Sequence, residues 1–126
     1  MTKEILKYMN LKLKKILPYQ YYEWKTAVEY PYWIGEYSEV ESDSEDGFGE
    51  DVLMVTGTTT GSVIDLEDGK EALQRAFPKI SGYHAILESG TNIIVYYDTS
   101  TSVPTDNNDI KRIQVNLKIK SWKVSE

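Results

Sequence analysis

Between Arg112 and Lys120 the chain alternates polar and apolar residues without a break. Ile113, Val115, Leu117 and Ile119 are apolar, while Arg112, Gln114, Asn116, Lys118 and Lys120 are polar. Successive side chains of a strand point to opposite faces, so this segment is a strand with one dry face and one wet, cationic face. Trp122 and Val124 continue in the opposite phase, which predicts a bulge or twist near Ser121.

Helices to cover the dry face are visible elsewhere. Over residues 2–17, Ile5, Leu6, Met9, Leu13, Ile16 and Leu17 form one apolar stripe, with Thr2 as N-cap and Pro18 as the stop. A second helix is expected over about 63–77, ending at Pro78. Ser62-Val63-Ile64-Asp65 before it matches a capping box, in which the Ser oxygen and the acid three residues on share the free amides. Gly69 inside this helix costs about 1 kcal/mol relative to Ala, so packing has to hold it.

The remaining segments read as strands and loops. Six tyrosines with Trp24 and Trp33 crowd the stretch from Tyr19 to Tyr37. They suggest a strand near 21–29, a break at Pro31 and a strand near 32–40. Tyr30, Tyr32 and Trp33 are the candidate aromatic interface, set against the plainer expectation that such residues line a core. The segment 41–51 reads as an acidic flexible loop and 52–60 as a strand. Segments 83–87 and 93–97 read as strands flanking a turn at 89–92, and 98–109 as a polar loop. The expected fold is a single α+β domain over 1–126, in the order α-β-β-β-α-β-β-β. Its sheet is mainly antiparallel, of 4–6 strands, with both helices packed on one face.

Charge is blocked along the chain. The totals are 14 Lys+Arg and 20 Asp+Glu, a net charge of −6, which argues against general neutralisation of DNA phosphates. Eight of the acids, Glu36, Glu39, Glu41, Asp43, Glu45, Asp46, Glu50 and Asp51, fall between residues 36 and 51 with no base among them. Lysines dominate residues 1–15, and Lys111, Arg112, Lys118, Lys120 and Lys123 fall in the closing segment. The acidic set from Glu39 to Asp51 is a candidate interface or channel surface, and Arg112, Lys118 and Lys120 a candidate cationic face.

Catalytic chemistry has few footholds. There is no cysteine, which removes disulfides, thiolate metal sites and cysteine nucleophiles. His84 is the only histidine, and no G-x-S-x-G elbow accompanies it. Gly57–Ser62 has the wrong spacing and no lysine for a phosphate loop, and the acidic segment puts Leu53 where a calcium loop needs its Glu. No metal, cofactor or catalytic residue is expected, and no stretch has the roughly 18 apolar residues of a membrane span. A cytoplasmic structural or interaction protein is the expectation.

Several phrases resemble small tail-assembly proteins of long-tailed bacteriophages and prophages of Gram-positive bacteria. They are PYWIGEYSE (31–39), EDG (45–47), TGTTTGS leading into DLEDGKEAL (56–73) and VPTDNNDIKRIQVNLKIKSWKV (103–124), of which IKRIQVNLKIKSWKV is the strongest. The order of elements is similar to tail-terminator, or tail-completion, proteins. The resemblance implies a ring, commonly of six subunits, that stops growth of the tail tube and joins it to the filled head. Its implied partners are further copies of the chain, the tail tube protein and a head-completion or connector protein, with DNA passing through the channel without specific binding. It implies a place in the host cytoplasm during assembly and in the tail or neck of the virion. A head–tail adaptor or other minor tail protein is the alternative within that class, and a small-ligand or peptide-binding module the alternative outside it. Charge reversal at Glu45 and Asp46 separates the two acidic placements: lost rings mark an interface, lost DNA passage a channel.

Overall fold

The computed structural model describes residues 1–40 and 49–123. Its elements, in chain order, are α1 (Lys3–Ile16), β1 (Tyr19–Tyr21), β2 (Tyr32–Val40), β3 (Gly49–Thr60), α2 (Ile64–Ala76), β4 (Tyr83–Ile86), β5 (Thr91–Ser102) and β6 (Ile110–Lys123). The alternating segment forms most of β6, which lies between β3 and β5 in a curled six-stranded sheet of order β1-β2-β3-β6-β5-β4. All pairings are antiparallel except the short β1–β2 contact. The result is an α+β single domain.

Both helices cover one face. Ile5, Met9 and Leu13 of α1, with Leu66 and Leu73 of α2 and the following Phe77, pack against Leu53, Val55, Ile93, Val95, Val115, Leu117 and Ile119. Each such side chain fully removed from water contributes about 1.5–3 kcal/mol. Thr2 Oγ1 accepts from the Ile5 amide at 3.2 Å, the N-cap its position suggests. Trp33, on β2, is 1% exposed and lies between β3 and α2. A Cβ on either Gly57 or Gly69 would run into its indole. Gly69 is thus the point where α2 can approach the sheet, and its cost in helix propensity is offset by that close packing.

Tyrosines tie α1 to the sheet. Tyr19 Oη donates to Asn10 Oδ1 at 2.7 Å, and burial raises the Tyr19 phenol above its ordinary pKa. The Tyr8 and Tyr83 hydroxyls are 2.8 Å apart, and Lys12 Nζ sits 4.2 Å from the Tyr83 ring centre. Burial, aided by the Tyr83 hydrogen bond, pushes Tyr8 up to about 12. The Tyr8 bond, then Lys12, shifts Tyr83 downward.

Several expectations from sequence are corrected. The strand near 21–29 is only Tyr19–Tyr21, because Tyr22 takes φ of 73° and turns the chain out of the sheet. The capping box does not form: Ser62 Oγ accepts from Ile64 N at 3.1 Å, and the N-cap position is Val63 with no side-chain bond. Asp98–Ser102, assigned to a loop, is the second half of β5. No bulge lies at Ser121, which pairs in register with Gly49 and Ile93, and Val124 lies outside the described residues. The register shift lies instead between Tyr97 and Thr99. Strand β3 begins at Gly49, inside the expected acidic loop. Residues 41–48 of that loop lie outside the described residues.

Candidate functional site

The face of the sheet turned away from the helices is the candidate site. Strand alternation places Ile34 and Glu36 of β2, Met54, Thr56 and Thr58 of β3, and Arg112 and Gln114 of β6 on it. The curl of the sheet makes a cleft of about 350 Å³ there, closed at one side by Tyr22 and Tyr32 and at the other by Val103. Ile34 and Met54 give it an apolar floor. Arg112 is fixed by its Nε, which donates to Thr58 Oγ1 at 3.1 Å. A guanidinium held this way keeps its terminal N–H fork for an anionic or carbonyl group.

An aromatic cluster borders the cleft. The Trp24 and Tyr32 rings are 5.2 Å apart and the Tyr30 and Tyr32 rings 5.7 Å apart, both tilted. Trp24 Nε1 donates to Ala27 O at 3.3 Å, and the Gln20 side chain accepts from Lys25 N at 3.0 Å. The bend after β1 therefore folds on itself as a local cap. Tyr30 is 47% exposed and Tyr32 half-buried, so both remain available to a partner. Trp33, the third expected interface aromatic, is core, because alternation turns it to the helix-covered face.

The opposite end of this face is cationic. Lys118 Nζ lies 3.7 Å from Glu50 Oε1, and Lys79, Lys118 and Lys120 surround a recess of about 210 Å³ beside Tyr96 and Asp98. Lys79 Nζ also donates to the Asp98 carbonyl at 3.1 Å. Between the two ends, Gln114 Nε2 donates to Asn116 Oδ1 and Asn116 Nδ2 to Thr99 Oγ1, each at 3.0 Å.

One acid of the expected acidic surface meets the expected cationic face directly. Because β3 pairs with β6, Glu50 lies opposite Lys120 and ion-pairs with Lys118 on the same face. Asp51 is turned to the covered face, 6% exposed, where its carboxylate accepts from the Met1 amino group at 3.2 Å. It is structural rather than part of a surface. Glu39 belongs to β2, whereas Glu41, Asp43, Glu45 and Asp46 lie outside the described residues.

His84 stands on the open face near the β4 edge. Its ring stacks on Trp122 at 5.8 Å, and its Nε2 is 3.1 Å from Asn92 Oδ1. The amide and the indole are two contacts of this exposed ring. Among the described residues no group of three His, Asp or Glu is arranged to hold a metal ion. No described helix is long and apolar enough to cross a membrane.

No protein-family model matches the chain, and none of the curated proteins compared with it is significantly similar in sequence. The site's character therefore rests on its own geometry. Sequence reasoning missed Tyr22, Ile34, Met54 and Val103 as cleft residues. Met54 lies in the apolar run VLMV, where composition does not tell the two faces apart. Only pairing with the alternating β6 strand reveals its side.

Proposed function

We propose that the protein is a structural subunit of a phage or prophage tail, a terminator that forms a ring on the end of the tail tube and joins it to the filled head. The observation that carries this is the uncovered face of the sheet. Two helices protect one face, while the other holds Tyr32, Ile34, Met54 and Arg112 open to a partner. The resemblance of the phrases between residues 31 and 124 to tail-terminator proteins supplies the kind of partner. A ring requires each subunit to offer two different surfaces that meet head to tail. Here the aromatic and cationic ends of the open face differ in chemistry in the way that arrangement demands. Contact with the tube protein falls to the same face or to the rim of the ring.

The cleft beside Tyr22 and Tyr32 favours a second reading, a module that binds a small ligand or peptide. One experiment separates the two. Negative-stain microscopy of the protein mixed with tubes built from the tube protein of the same phage or prophage should show closed rings, or a single cap at one tube end. A monomer that leaves every tube end bare contradicts the terminator role and leaves the binding module.

A further inference from the structure

The sheet has two half-covered edges, and they fit one another; this inference rests on the ring reading and names the contact that closes the ring. Strand β1 covers β2 only at Trp33–Gly35, and β4 covers β5 only at Asn92–Val95. Among the described residues, no strand pairs with the outer edge of β2 beyond Gly35 or of β5 beyond Tyr97. Backbone bonds show which groups face outward. Trp33 N donates to Pro18 O and Tyr22 N to Gly35 O, so the odd-numbered residues of β2 turn their backbone groups away from β3. Beyond Gly35 these are Tyr37 and Glu39. On the other side Val103 N donates to Arg112 O, so Thr101 and Thr99 face β6 while Ser100 and Ser102 face outward.

We propose that the Ser100–Ser102 edge of β5 adds to the Tyr37–Glu39 edge of β2 in a second copy of this chain, so that one continuous sheet runs from subunit to subunit. Strand direction permits it. Within one protomer β2 and β5 run antiparallel, through β3 and β6. A neighbour in the same orientation therefore presents β2 antiparallel to β5. Facing permits it too. Ser102 pairs with Ile113 and Tyr37 with Leu53, so both lie on the helix-covered face. Joining Ser102 to Tyr37 and Ser100 to Glu39 then keeps the helices of both copies on one side, the relation a head-to-tail ring needs.

The offset also suits closure. Tyr37 is level with Tyr97 in its own sheet and would be level with Ser102 in the neighbour's, a slide matched by the four residues from Leu117 to Ile113. At strand spacings, that is about 13 Å of slide for about 19 Å of width. The strands would tilt by about 35°, within the range of closed barrels.

Chemistry at the edges agrees. Thr99–Ser102 carries neither charge nor proline, the usual blocks on a free edge. Val40 of the neighbour would fall opposite Thr99, beside Asp98 and Lys79.

The cysteine-free chain makes the test direct. In this register Ser38 faces Thr101, and both are exposed. Within one protomer β2 and β5 are three strand spacings apart, about 14 Å, too far for an internal disulfide. Oxidation of Ser38→Cys/Thr101→Cys should produce a ladder of covalent oligomers. Thr101→Cys alone should stop at dimers, and Ser38→Cys/Glu88→Cys should give no ladder. Wild-type rings without the Ser38→Cys/Thr101→Cys ladder would overturn the edge pairing and leave the ring reading. A wild type that stays monomeric and leaves tube ends bare would overturn both.

Discussion

On β3, Leu53 and Val55 are fully buried while Met54 between them is half-exposed, and β6 repeats this with Val115 and Leu117 against Gln114 and Asn116. The two faces are made from the same strands yet are held together differently. The covered face relies on fit, with the Trp33 indole set against two glycines that come from distant parts of the chain. The open face relies on side-chain hydrogen bonds, from Arg112 to Thr58 and from Gln114 through Asn116 to Thr99. Those bonds order its side chains without a second layer. Stability should therefore reside on the covered face and association on the parts of the sheet that the helices and edge strands leave free, and substitutions can try to break that division.

The largest effect is expected at the wedge. Trp33→Ala should cost about 3–5 kcal/mol in urea unfolding. A loss below about 1 kcal/mol would mean that the covered face does not depend on this fit. Gly69→Ala comes next. The substitution gains about 1 kcal/mol of helix propensity but forces a methyl into the indole, so a net loss of about 1–3 kcal/mol is expected. A more stable protein would contradict the close approach of α2.

Tyr19→Phe removes the bond to Asn10 and should cost about 1 kcal/mol at neutral pH. It also tests pH dependence. The Tyr19 and Tyr8 phenols are raised above their ordinary 10.0, so folding favours their neutral forms. That contribution is complete below pH 10.0 and fades as the pH climbs towards 12. Unfolding curves recorded across this window should show stability falling, with a shallower fall in Tyr19→Phe. Smallest is Lys118→Ala on the open face. Breaking its exposed pair with Glu50 should change stability by no more than about 0.5 kcal/mol. Association, followed by light scattering at low salt, should slow measurably.

Much of the fold was legible because local signals agreed. Thr2 and Pro18 bracket α1, Pro31 precedes β2, and the alternation of β6 names its buried face outright. Legibility failed where a residue's role depends on a distant partner. Trp33 looked like one more interface aromatic because nothing nearby announces Gly57 and Gly69 as its seat. Asp51 looked like one more surface acid, although its neighbour Glu50 is the one that faces out. Asp98–Ser102 read as a loop because an edge strand wet on one side needs no apolar pattern. That same polar half-strand carries the candidate subunit contact. For the candidate site, sequence found Tyr32 and Arg112 but not the cleft between them, since its floor comes from strands far apart in the chain.

The central claim is that this chain associates with itself head to tail through the part of the sheet its own helices and edge strands leave free. Mass photometry of the wild type and of Ser100→Pro, each alone and with tail tubes, tests it most directly. Proline at 100 removes only an outward-facing amide, so the sheet should stay intact by circular dichroism. The wild type should form a ring of several times the 14.5 kDa subunit mass, alone or on tube ends, while Ser100→Pro stays folded at 14.5 kDa. A wild type fixed at 14.5 kDa in both conditions, or a Ser100→Pro protein that assembles as well as wild type, would contradict it.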